Sequence, residues 1–152
     1  MKNFIITLII ILIPVKSFGL IEVDITRGNL NPLPVAVSPL SIDEESRKNF
    51  EKILKKKNIG SEISSIVENN LKVSGLFNPL NKDAFLQEPD IANLKPRFED
   101  WNLIKAQALI TGKVSYVEEK LRVEFRLWDV LAGKEMMALA FTTVPNNWRH
   151  VG

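Results

Sequence analysis

The chain contains no cysteine, and its single histidine, His150, lies close to the end. Without cysteine there can be no disulfide framework, no thiol nucleophile, no thiolate zinc site and no lipidated lipoprotein cysteine. One histidine is too few for a histidine-based metal site or a nucleophile–histidine–acid triad. Glycine is sparse, at seven residues, and nowhere forms a phosphate-cradling loop. Ser38, Ser41 and Ser74 lack the G-x-S-x-G setting of a hydrolase nucleophile. Glu118 and Glu119 are neighbouring carboxylates, but adjacent strand or turn residues project in different directions and do not form an acid–base pair. The expectation is a protein with no catalytic residue, no cofactor and no metal.

Excess charge of one sign is also missing. The 20 basic and 18 acidic residues leave +2. Lys2 and Lys16 both belong to the N-terminal leader identified below; without them the two signs balance at 18 each. The basic surplus is therefore a property of the leader, and nothing points to a nucleic acid partner.

The leader has three parts. Met1-Lys2-Asn3 is a short positive start, Phe4 to Val15 is almost wholly apolar, and Ser17-Phe18-Gly19 sets small residues at the −3 and −1 positions before Leu20. This is the grammar of a secretory signal peptide. A membrane span needs about 20 apolar residues, and this run is shorter and interrupted by Pro14. The expectation is a signal peptide over 1–19, a mature domain over 20–152 outside the cytoplasm, and no stable membrane insertion after cleavage.

The mature chain opens on Leu20-Ile21-Glu22-Val23-Asp24-Ile25-Thr26. Ile21, Val23 and Ile25 alternate with Glu22, Asp24 and Thr26, the period of a strand. After a turn at Gly28 to Pro32, Leu33 to Leu40 is a second extended run, with Pro34 and Pro39 expected at its ends or on a sheet edge. Ser41-Ile42-Asp43-Glu44 has the spacing of a capping box, with Ser41 as the cap. The helix it opens carries acids first and Lys55-Lys56-Lys57 last. Its apolar stripe is thin, Phe50, Ile53 and Leu54, which predicts a solvated element. The lysines read as a solvated helix end rather than a phosphate site. A second helix, capped by Gly60 or Ser61, presents Ile63, Ile66, Val67 and Leu71 on one face and ends at Gly75.

Leu76 to Leu80 is a short extended segment, Asp83 to Leu94 a loop, and Pro96 opens a short helix through Phe98, Trp101 and Ile104. The densest strand signal follows. Ala108 to Tyr116, Leu121 to Trp128 and Glu135 to Val144 are separated by turns at Glu118-Glu119-Lys120 and Leu131 to Lys134. Leu121, Val123, Phe125 and Leu127 alternate with Arg122, Glu124, Arg126 and Trp128. These runs predict an antiparallel three-stranded meander with an apolar face, covered chiefly by the second helix. The fold class is thus α/β of an α+β kind, a mixed sheet with helices packed on one face. Trp148 and Val151 start a further helical spacing that the chain does not complete, so the expectation is a domain truncated at its C-terminus. Trp101, Trp128 and Trp148 read as packing residues.

Several stretches resemble the N-terminal domain of the TolB family of the Tol–Pal system. They are the leader, Ile21 to Thr26, Leu33 to Val37, the helix end Ser74-Gly75-Leu76-Phe77-Asn78-Pro79-Leu80, Trp101 ahead of Ala108 to Val114, and Asn147-Trp148-Arg149-His150-Val151-Gly152. The resemblance spans essentially all of the mature chain. It implies a non-enzymatic periplasmic interaction module that serves outer-membrane integrity and constriction during cell division. It further implies that the mature N-terminal strand, Leu20 to Thr26, contacts TolA, and that Pal is bound by a C-terminal β-propeller which this chain lacks. Asp43 to Lys57 is longer than the family's usual connection. Read without the resemblance, the same residues also fit an exported small-ligand-binding or regulatory domain whose pocket would lie between helices and meander.

Overall fold

The computed structural model describes residues 31–90 and 95–152. The expected signal peptide over 1–19 and Leu20 to Thr26 lie outside the described residues. In chain order the elements are β1 (Leu33–Val37), β2 (Ser41–Ile42), α1 (Glu44–Leu54), α2 (Ile59–Val73), β3 (Phe77–Pro79), a 3-10 turn (Lys82–Ala84), α3 (Phe98–Leu103), β4 (Ala108–Val117), β5 (Lys120–Asp129), β6 (Lys134–Thr143) and a 3-10 segment (Pro145–Val151).

The strands form one mixed sheet in the order β3-β1-β4-β5-β6, and β2 continues the line of β1 along β4. β1 runs parallel to both β3 and β4. The meander β4-β5-β6 is antiparallel, with one register irregularity between Leu127 and Trp128. The β4–β5 hairpin turns at Glu118 and Glu119, whose φ angles are 49° and 61°. Two successive left-handed residues turn with the natural twist of the strands. Gly133, at φ 63°, serves the next turn as expected. Pro34 sits near the start of β1 and Pro39 beyond its end, so neither interrupts the ladder of this interior strand.

The period of two is what builds the core. Val35 and Val37 of β1 join Ala108 on one face, where Val67 and Leu71 of α2 pack. Further along the same face Val114, Leu121 and Val123 meet Phe50 of α1, Ile59 and Ile63 of α2, and Trp148. Residues of the opposite parity, Ala36, Leu109 and Trp128, face Trp101 of α3 and Ala106, with Leu80, Phe85 and Phe98 alongside. The two long helices together cover one face, a role that the sequence reading gave chiefly to the second. A smaller layer, centred on Trp101, covers part of the other.

Three local readings are corrected. α1 is capped by Asp43, whose carboxylate accepts the Ser46 amide at 2.8 Å. Ser41 belongs to β2 and spends its hydroxyl on the Gly112 carbonyl. α1 is not merely solvated, because Phe50 is fully buried and packs edge-on to Tyr116 with ring centroids 5.5 Å apart. Burying one such ring contributes roughly 1.5–3 kcal/mol, enough for a single residue to anchor the helix. α2 starts at Ile59 behind Asn58, earlier than Gly60 or Ser61 suggested. Its end is as expected, with Gly75 at φ 73° just beyond Ser74. The lysines are paired or cap the helix: Lys56 with Glu62, Lys57 with Glu51, and Lys55 in the left-handed C-cap position.

Candidate partner-binding surface

The two edges of the sheet differ. β3 is three residues long and contains Pro79, which has no N–H to offer a neighbour. It is a blunted edge of the kind that resists pairing. β6 is ten residues long, with no proline. Among the described residues no strand lies on its outer side, and every residue from Lys134 to Thr142 is exposed. Alternate backbone N–H and C=O groups along it are available to another strand.

The side chains of β6 divide by face. Met137, Leu139 and Phe141 stand opposite Leu127, Phe125 and Val123 and continue the apolar face of the meander. α2 does not reach this far. It covers β1 and β4, and the last 3-10 segment covers the start of β5, so an open groove of about 260 Å³ remains between Val67, Val151 and the β5–β6 floor. Phe125 and Phe141 meet edge to face in that floor, with centroids 6.2 Å apart. The sequence reading assigned the cover of the meander to the second helix; the helix serves mainly the β1 side of the sheet.

On the other face Ala138 and Ala140 lie opposite Arg126 and Glu124. The small alanines leave a shallow trough of about 220 Å³ bordered by Arg122, Glu124 and Arg126. Arg122 pairs with Glu124 at 2.8 Å, and Arg126 with Glu135 at 3.5 Å. These are exposed ion pairs, worth little to stability and free to change partners.

A polar hollow elsewhere gathers Arg47, Asn58, Ser61, Glu88 and Asp90. Among the described residues no cluster of histidine and acidic side chains is arranged to hold a metal. Glu118 and Glu119 are the two exposed residues of a hairpin turn. Nor does any helix among the described residues have the length and apolarity to cross a membrane. Asp43 is held below the ordinary carboxylate value. The Ser46 backbone N–H, and after it the Ser46 hydroxyl and Lys113 at 3.5 Å, depress its pKa against the opposing effect of partial burial.

Sequence comparison bears on what such a surface serves. The TolB amino-terminal domain family matches residues 21–136. The chain belongs to that family. Over 145 residues it is 80% identical to the Tol-Pal system protein TolB of Pelagibacter ubique (strain HTCC1062). That match takes in 95% of this chain and 32% of the relative, so the chain spans about a third of the relative's length. The fold of this TolB-family domain is also similar to solved structures at low identity. TolB from Acinetobacter baumannii superposes with a TM-score of 0.59 at 17% identity, over 79% of this chain and 25% of that one. Lipoprotein GNA1162 from Neisseria meningitidis gives 0.53 at 17% identity, over 74% and 81%. At these identities the likeness is one of fold alone. The TolB-family residues singled out by sequence divide accordingly. Leu33 to Val37, Phe77 to Pro79 and Ala108 to Val114 form adjoining strands of the sheet, whereas Leu20 to Thr26 fall outside the described residues. The β6 edge was missed as a surface. Its signal was a strand with apolar residues and neither proline nor charge along its length beyond Lys134-Glu135, which is equally the signal of an interior strand.

Proposed function

We propose that this chain is a non-enzymatic, protein-binding module of the Tol–Pal envelope system. It is exported by the leader over 1–19 and acts in the periplasm from Leu20 onward. There it supports outer-membrane integrity and constriction at division. The observation that carries this reading is 80% identity to a Tol-Pal system TolB across 95% of the chain. In this proposal Leu20, Ile21, Glu22, Val23, Asp24, Ile25 and Thr26 form the element that engages TolA. The main chain supplies ladder hydrogen bonds, Ile21, Val23 and Ile25 fill alternate pockets, and Glu22 and Asp24 govern partner charge preference and association rate. Pal is assigned to a propeller, sequence that these 152 residues do not include.

The alternative of a small-ligand domain draws on the groove beside α2. That groove is walled by apolar side chains, with Arg126 its one charged lining residue, and it lacks the convergent polar groups that orient a small ligand. The interaction reading is the better supported.

The deciding experiment titrates the processed protein, and a form lacking residues 20–26, against the C-terminal domain of TolA, with circular dichroism on both. Loss of binding by a deletion that keeps its spectrum supports the assignment, and Val23→Asp should mimic it by forcing a charge into an apolar pocket. Unchanged affinity of a folded deletion overturns it.

A further inference from the structure

We propose that the β6 edge is a self-association surface: two copies of this chain pair their β6 strands antiparallel about a two-fold axis through Leu139, joining their sheets into one.

The inference rests on which residues such pairing opposes. β6 has a period of two, so a symmetric antiparallel pair keeps apolar face against apolar face only when it is centred on a residue. Centred on Leu139, Met137 stands opposite Phe141 of the second copy and Leu139 opposite itself. The apolar face then runs unbroken from Phe125 through Leu139 to the second copy's Leu139 and Phe125. On the other face Ala138 stands opposite the second copy's Ala140. Since Arg126 flanks Ala138 and Glu124 flanks Ala140, each cross-sheet row reads Arg126, Ala138, then the second copy's Ala140 and Glu124. Symmetry makes two such rows. The Cα atoms of Arg126 and the second copy's Glu124 are three strand spacings apart, about 14 Å. That is within the joint reach of an extended arginine and glutamate lying over a floor of alanines.

The neighbouring registers fail on charge. Centring on Ala138 puts Arg126 in one row with the second copy's Arg126. Centring on Ala140 does the same with Glu124. Each side chain has one partner in its own chain and is about two-fifths exposed, at 39% for Arg126 and 40% for Glu124. A guanidinium has five donors and a carboxylate two oxygens, so each can take a second partner. The Leu139 register also overlaps the strands almost end to end, and beyond the irregularity near Met136 the edge from Met137 to Thr143 carries neither proline nor charge.

The test is sedimentation velocity on the purified protein across a concentration series. A concentration-dependent dimer is expected. Arg126→Glu alone and Glu124→Arg alone should each raise the dimer dissociation constant about tenfold, because each sets like charges in both rows. Mixed one to one, the two variants should dimerise again at near the parent affinity, since every row in the mixed pair regains opposite charges. Both variants keep β6 intact, and recovery on mixing cannot come from a folding defect in either. Leu139→Lys, which puts two ammonium groups at the axis, should abolish the dimer. A protein that stays monomeric at all concentrations, or a dimer indifferent to both charge variants and to Leu139→Lys, overturns the proposal; so does failure of the mixture to recover.

Discussion

The indole N–H of Trp128 donates to the hydroxyl of Thr111 at 2.9 Å, with both side chains buried. The pair crosses from β5 to β4 beneath the layer that Trp101 anchors, and it is what allows the polar end of a tryptophan to sit inside. Thr111→Val keeps the shape and removes the acceptor. The expected cost is about 1–3 kcal/mol, the penalty of an orphaned buried donor, read as a lower urea midpoint with an unchanged slope.

Asp43 couples α1 to the rest of the domain through the Ser46 amide and Lys113. Asp43→Ala should cost about 0.5–2 kcal/mol as a lost helix cap, whereas Asp43→Asn should retain most of it. The pH dependence has a definite sign. The folded pKa lies below the ordinary carboxylate value, so the contribution is fully present above that value and is lost as pH falls through the folded pKa. Chemical denaturation between neutral pH and about pH 3 should show the wild-type protein losing stability faster than Asp43→Ala toward the acid end. Parallel curves would remove Asp43 from the account.

Gly60 sets two effects against each other. It lies in α2, where alanine is favoured over glycine by about 1 kcal/mol. Yet a Cβ at this position would stand 2.2 Å from the backbone oxygen of Leu40, and backbone does not move aside as a side chain tip does. The contact wins: Gly60→Ala should lower the melting temperature, while an alanine at exposed Ser65 in the same helix should not.

The meander was legible because the period-2 alternation of Leu121 to Trp128 marks a strand, and short turns join it to an extended run on either side. Both turns and the Gly75 stop were legible because each depends on residues a few positions apart. The failures are of another kind. Two candidate caps, Ser41 and Asp43, sit side by side, and what decides between them is the Gly112 carbonyl, 71 residues from Ser41, which takes the serine hydroxyl. α1 looked solvated because its stripe is narrow; Phe50 alone is fully buried while Ile53 remains 43% exposed. Trp128, written among the polar residues of its strand, is buried because Trp101 and Phe98 arrive from elsewhere. Strand order was invisible for the same reason, and with it the exposed position of β6. The residues proposed to meet TolA, Leu20 to Thr26, lie outside the described residues.

Pro79 and the brevity of β3 give the sheet a direction. Any strand added along β6 lengthens the sheet on that side, and the far side offers no template for the next addition. The proposed pairing would use both β6 edges at once, leaving a dimer whose outer edges, among the described residues, are the blunted β3 strands rather than a template for a fibre.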